Sequence, residues 1–188
     1  MSDYLTIHNL LPCLQSAYRK HHSTETAVLK VLGDILLAVD SGDLSVLALL
    51  DLSAAFDTVD HDILLRRLKT SFGLDGVVCS WFRSYLTGRV QRVRRGSSVS
   101  ASVVLLYGVP QGSVLGPLGP LLFILYTADL IRLIESFGFR PHLYADDSQI
   151  QGSCRPDSFH QLQLTLSKVK KVKGQGDYSA HKSSIISR

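Results

Sequence analysis

The chain has 188 residues, of which 45% are hydrophobic and 19% charged, and its formal net charge is +4. That balance fits one folded domain with a sizeable core and excludes a disordered chain. The mild basic excess is compatible with nucleic acid but selects no partner by itself.

Cys13, Cys79 and Cys154 are scattered and form no CxxC, which points away from a zinc site or a disulfide framework. The apolar runs Val46–Leu50 and Pro120–Tyr126 are far too short to span a bilayer. The first residues lack the basic and apolar regions of a signal peptide. The expected location is therefore intracellular, nuclear or cytoplasmic, and not secreted, with no membrane partner.

In chain order, the mixed N-terminal segment ends in the basic stretch Arg19-Lys20-His21-His22. Ser23 and Thr24 then cap a helix to about Val39, with Val28, Val31, Leu32, Ile35 and Val39 at helical spacing. Leu44–Leu52, broken by Asp51, reads as a buried central strand. Ser53–Asp60 is a turn containing Phe56, and Asp60 caps a helix through Leu68. Asp75 caps another, with Val78, Trp81, Phe82 and Tyr85 on one face. Arg89–Arg95 and Ala101–Tyr107 read as a hairpin across Gly96-Ser97-Ser98. Gly108–Pro120 is irregular, and one long amphipathic helix is expected from about Pro120 to Phe137. Phe139–Tyr144 and Ser148–Gln151 flank Asp146-Asp147 as a second hairpin, and Ser158–Val172 is a last helix. Helices and strands mix without strict βαβ alternation, so the expected class is α+β.

Asp146-Asp147 is compatible with an ordinary hairpin turn, because Asp tolerates positive φ. Two adjacent carboxylates also repel one another unless a cation offsets the charge. Asp51 closes an apolar strand, where a charge needs a partner or a solvated end. A strand-end carboxylate and a hairpin carboxylate pair can meet at one edge of an antiparallel sheet. Their hard oxygens suit Mg²⁺. Arg92 and Arg94 share a strand face and are suited to a nucleic-acid backbone or to solvent.

Three stretches carry a resemblance. Leu49–His61, with the core Leu-Asp-Leu-Ser-Ala-Ala-Phe-Asp, is similar to the first catalytic motif of non-LTR (LINE-type) retrotransposon reverse transcriptases. Gly108–Pro117 resembles their nucleotide-pocket motif, and Tyr144-Ala145-Asp146-Asp147 their second catalytic motif. Upstream, Leu14–Thr24 is similar to their fingers segment. The likeness covers about residues 1–169 in the family's order.

The resemblance implies a polymerase palm, an antiparallel sheet backed by helices, over about residues 44–172. Partial fingers would occupy about 1–43 and a disordered tail 173–188. It implies RNA-directed DNA polymerase activity, with two Mg²⁺ ions (Mn²⁺ as a substitute), an RNA template, a DNA primer and a dNTP, and no organic cofactor. Asp51, Asp146 and Asp147 match the catalytic metal ligands, joined by the carbonyl of Leu52. Phe56 matches the steric gate against a ribose 2′-hydroxyl, although its position also suits a core aromatic. Gln111, Gly112 and Tyr144 match the nucleotide pocket, and Arg19 and Lys20 the fingers' basic contacts.

Two departures stand out. Leu118-Gly119-Pro120 duplicates Leu115-Gly116-Pro117, and the expectation is that a loop absorbs the extra copy. Beyond Val169 neither the family's primer grip nor its thumb is resembled, and no endonuclease precedes residue 1. A weakly active or inactive chain, a remnant that binds nucleic acid without catalysis, is the alternative expectation.

Overall fold

The computed structural model describes residues 1–51, 54–110 and 118–175. The helices are α1 (Ser2–Ile7), α2 (Thr24–Asp40), α3 (His61–Thr70), α4 (Val77–Leu86), α5 (Leu118–Tyr126), α6 (Asp129–Ser136) and α7 (Phe159–Gln175). The strands are β1 (Leu44–Leu50), β2 (Val90–Gln91), β3 (Arg94–Arg95), β4 (Ser98–Val99), β5 (Val103–Val104), β6 (Arg140–Tyr144) and β7 (Asp147–Cys154). The chain divides into two compact units, Met1–Ala55 with Thr127–Arg188, and Phe56–Tyr126. The mixture is α+β, as expected.

The first unit is built on a three-stranded antiparallel sheet in the order β1-β7-β6. β1 is therefore an edge strand, not the central strand its apolar run suggests. The reason lies in its two faces. Ala48 and Leu50 point into the core, whereas Leu47 and Leu49 remain 39% and 46% exposed. Ala48, Leu50 and Ile150 pack with Leu130 and Ile134 of α6, Phe139, and Leu166 and Val169 of α7. α2 lies against the same sheet.

Ser23 caps α2 through a capping box with Thr26, the start the sequence indicates. The inward face differs from the expected one. Ala27, Val31 and Ala38 are buried, while Val28, Leu32 and Val39 are about half exposed or more. Small residues let a helix approach a sheet closely, so the larger side chains stay outside.

The outer edge of β6 is met by the N-terminal segment. Ser16 N donates to Leu143 O (2.9 Å) and Leu143 N donates to Leu14 O (2.8 Å), a one-residue parallel bridge at Gln15. Ser16 Oγ lies 3.2 Å from His142 Nε2 and 3.1 Å from His22 Nδ1. Burial holds His142 below its ordinary value, which suits a neutral ring sharing a hydrogen bond with a hydroxyl.

In the second unit α3 packs on α4 and α5. Asp60 Oδ1 accepts from Ile63 N and caps α3, as expected. The cap of α4 is Gly76 (φ 61°), not Asp75, whose carboxylate accepts from Gly76 N and pairs with Lys69. Phe82 and Leu86 form the buried face of α4. Trp81 stays half exposed, its ring stacked on Tyr85, so the four-residue face expected from spacing is split.

The long helix expected from Pro120 to Phe137 is two helices, α5 and α6. Every residue from Leu121 to Tyr126 is buried, so α5 is apolar all round where an amphipathic stripe was expected. The second Leu-Gly-Pro copy forms the first turn of α5 and is not absorbed by a loop. Pro120 fits there because the first-turn N–H groups have no intrahelical acceptor. The first copy, Leu115–Pro117, lies outside the described residues, as does the tail beyond Gln175.

The core assignment is testable by chemical denaturation. Ile150 is fully buried, so Ile150→Ala is expected to cost about 2–5 kcal/mol. Leu47→Ala, on the half-exposed face, is expected to cost well under half as much.

Candidate functional site

The β1–β7 register decides where the acidic residues go. Leu49 faces Gln149 and Leu50 faces Ser148. The pairing ends there; continued by one step, the same register would set Asp51 opposite Asp147, and the charge of Asp51 acts on Asp147. Strand alternation puts Leu47, Leu49 and Asp51 on the face opposite the apolar core. Gln151, Gln149 and Asp147 share that face from β7, and Tyr144, paired with Asp147, joins them from β6.

Asp146 occupies the turn between β6 and β7. That turn is two residues long, Ala145-Asp146, and Ala145 is left-handed at φ 54°. Two-residue hairpins favour such turns because their twist matches that of the flanking strands. The hairpin expected around the acidic pair is present, with Asp147 as the first residue of β7.

Asp51 and Asp147 are exposed and Asp146 is half-buried. The Asp147 carboxyl is held above the ordinary carboxylate range by partial burial first, then by the charges of Asp146 and Asp51. Asp146 and Asp51 thus both lie within electrostatic reach of Asp147. Among the described residues, no three acidic, histidine or cysteine side chains stand close enough together to hold a metal ion. The donor set fits a hard divalent cation in chemistry, since it consists of carboxylates whose mutual repulsion a cation would cancel. As it stands it is an open set.

Other expected site residues fall in several places. Leu52, Gln111 and Gly112 lie outside the described residues. Phe56 is 9% exposed in a short 3₁₀ turn, its ring 4.8 Å from that of Phe123. Arg19 donates to the carbonyls of Pro12 (3.4 Å) and Cys13 (3.1 Å), so its guanidinium is partly engaged by its own segment, while Lys20 is exposed.

Arg92 and Arg94 lie on the exposed hairpin that runs from β2 to β5. Gly96 (φ 59°) begins its turn. Gln91 pairs with Val103 but Arg94 with Val99, so the returning strand carries one extra residue and bulges. Arg92 Nε donates to Ser102 Oγ (2.6 Å) beside that bulge.

Two residues near the motifs escape sequence reasoning. Gly108, at φ 93°, donates its N–H to Val59 O (2.8 Å), and a Cβ there would sit 3.0 Å from Asp57 Cα. Its carbonyl accepts from Arg89 Nη1 (3.2 Å) and lies 2.8 Å from Nε2 of His61, the buried first residue of α3. A glycine opening a Gly-Val-Pro segment was a usable signal. Gln15 is the second; its partner Ala145 lies 130 residues away, and nothing local announces it. A cavity of about 240 Å³ between α2 and the sheet, lined by Lys30, Asp34, His142 and Gln149 among others, includes none of the three carboxylates.

The family model described as reverse transcriptase (RNA-dependent DNA polymerase) matches residues 1–186, past Val169 where the motifs give out. The chain is 39% identical over 132 residues to a probable RNA-directed DNA polymerase from transposon BS of Drosophila melanogaster, covering 69% of this chain and 14% of that protein. It is 29% identical over 145 residues to the RNA-directed DNA polymerase from mobile element jockey of the same organism, covering 74% of this chain and 15% of that protein. The chain thus spans about a seventh of the length of these relatives.

Among solved structures, the telomerase of Candida albicans superposes with a TM-score of 0.60 at 12% identity, covering 100% of this chain and 33% of that one. That of Candida tropicalis superposes with a TM-score of 0.57 at 15% identity, covering 93% and 36%. These likenesses concern the fold, a palm-like α+β arrangement. No helix among the described residues is long and apolar enough to cross a membrane. With a family model aligned from the first residue to the 186th, the chain belongs to the reverse transcriptase family.

Proposed function

We propose that the chain is the catalytic palm of an RNA-directed DNA polymerase of the retrotransposon type, with part of the fingers in about residues 1–43 and the palm in about 44–172. The observation that carries this reading is that the charges of Asp146, in the β6–β7 turn, and of Asp51, just past β1, both act on Asp147.

The reaction joins a primer 3′-hydroxyl to the α-phosphate of a dNTP, opposite an RNA or DNA template, and releases pyrophosphate. Asp51, Asp146 and Asp147, with the carbonyl of Leu52, would hold divalent cations, Mg²⁺ or Mn²⁺. Bound there, such ions neutralise phosphate charge and favour the ionised hydroxyl. The protein's own share is mostly positioning. The β6–β7 hairpin carries two of the three carboxylates on a rigid element, and β1 brings the third to the facing position. Phe56, its ring backed by Phe123, is assigned as the barrier to a ribose 2′-hydroxyl. Gln111, Gly112 and Tyr144 are assigned to the incoming nucleotide, and Arg19, Lys20, Arg92 and Arg94 to the nucleic-acid backbone.

One observation favours a rival reading, a remnant that binds nucleic acid without catalysis: the three carboxylates form an open set and not a closed ligand cluster. Primer extension separates the two. On a primed RNA template with Mg²⁺ or Mn²⁺, the chain is expected to incorporate dNTP and Asp146→Ala to fall to background. Incorporation that survives the substitution would remove the metal assignment, and binding without incorporation would favour the remnant.

The basic hairpin makes a separate prediction. Arg92→Gln with Arg94→Gln is expected to weaken binding of a primer–template across sequences. It should flatten the slope of log affinity against log salt by about one per lost phosphate contact.

The raised Asp147 carboxyl, held up first by partial burial and then by its neighbours' charges, predicts a pH effect. An acid whose pKa is raised on folding leaves stability intact below its unfolded value and lowers it as pH rises through the folded value. For Asp147 the unfolded reference is 3.8. In metal-free buffer, Asp147→Asn is therefore expected to melt at a higher temperature than the parent at neutral pH, with the gap closing in strong acid. Added Mg²⁺ should stabilise the parent more than the variant.

A further inference from the structure

The turn that carries Asp146 is not built from a sequence that prefers it. Two-residue hairpin turns with positive φ favour Asn, Asp or Gly at the first position. Here that position is Ala145, at φ 54°. Alanine has no side-chain polar group with which to stabilise the left-handed conformation, and its Cβ makes that conformation unfavourable.

What compensates is a side chain from far away in sequence. Gln15 is 3% exposed. Its Oε1 accepts from Ala145 N at 2.9 Å, and its Nε2 donates to Ala145 O at 3.1 Å. Both main-chain polar groups of Ala145 are therefore held by one amide. Oε1 accepts a second time, from Ala17 N at 3.0 Å. Two N–H groups on one atom and a carbonyl on the other fix which end of the amide is which. The segment bearing Gln15 is itself anchored to β6 by the Leu14–Leu143 and Ser16–Leu143 hydrogen bonds and by the Ser16 contacts to His22 and His142.

We infer that Gln15 is a positioning residue for the metal-binding carboxylates: it clamps Ala145 in the left-handed conformation and thereby sets the direction in which Asp146 and Asp147 leave the turn. This inference rests on the metal reading of those aspartates. Its physical content is that φ and ψ of Ala145 orient the following peptide, and the Asp146 side chain moves with it. Without the clamp, the turn can relax to other two-residue geometries while β6 and β7 stay paired. Groups that orient metal ligands from outside the coordination sphere act in this way.

The test is Mn²⁺ binding to the purified full chain, followed by loss of the free-ion EPR signal, with thermal melts run in parallel. Gln15→Met keeps the length and removes both hydrogen-bonding atoms. It is expected to weaken Mn²⁺ binding about 10–100-fold. Adding Ala145→Gly, which adopts positive φ without the Cβ penalty, is expected to recover most of that affinity. The melting temperature, lowered by loss of the tie between the N-terminal segment and the turn, should recover much less than the affinity. A role confined to tying the N-terminal segment to the sheet would lower the melting temperature and leave Mn²⁺ affinity unmoved.

Binding by Gln15→Met equal to the parent, or no recovery in the double variant, would overturn the inference. Should Gln15→Met fail to melt cooperatively, Gln15→Asn, one methylene too short to reach both groups, is read the same way. A parent chain that binds Mn²⁺ no better than Asp146→Ala would instead overturn the metal reading, and the positioning role with it.

Discussion

The antiparallel register between β1 and β7 is the constraint on which the first unit depends. It aligns seven consecutive residue pairs, from Leu44 with Cys154 to Leu50 with Ser148. Because side chains alternate, that single register sorts both strands at once. Ala48, Leu50 and Ile150 go to the core under α6 and α7, and the odd-numbered partners go to the other face. The apolar packing therefore fixes where the acidic residues emerge. Asp51 is carried to Asp147 by the same pairing that buries Leu50, so stability and site geometry share one cause.

The site is local on one side and remote on the other. Asp146 and Asp147 belong to one hairpin and travel together, whatever else the chain does. Asp51 follows directly on the last paired residue of β1, and its charge acts on Asp147 across some ninety residues of sequence. At Asp147, partial burial first and then the charges of Asp146 and Asp51 make the carboxyl resist ionisation. A charge arrangement that opposes the metal-free fold is the kind expected where binding energy is to be gained from a cation.

Much of this was legible in the residues. The acidic hairpin, the capping box at Ser23, the cap at Asp60 and the arginine hairpin around Gly96 all rest on short-range chemistry, and each is where that chemistry puts it. The misreadings share a cause, which is packing decided elsewhere. Leu47 and Leu49 look like core in the run Val46–Leu50, yet only one face of β1 has α6 and α7 against it. Nothing between Pro120 and Phe137 resembles a helix breaker, yet the helix ends at Tyr126 and restarts at Asp129. Val28, Leu32 and Val39 keep perfect helical spacing, yet the small Ala27 and Ala38 face the sheet. Gln15 is the extreme case, since its role exists only once two distant segments lie side by side.

The period-two sorting of β1 and β7 also dictates where this sequence can change length. One added residue inside either strand, unless taken up by a bulge, would turn the side chains on one side of it to the opposite face. Length variation is therefore costly across Leu44–Leu50 and Asp147–Cys154. The tandem Leu-Gly-Pro lies outside both strands, where its second copy adds a helical turn at the start of α5 and leaves the sheet in frame. Sequences related to this one should vary in length at loops and helix starts, and keep β1, β7 and the two-residue turn before β7 at constant length.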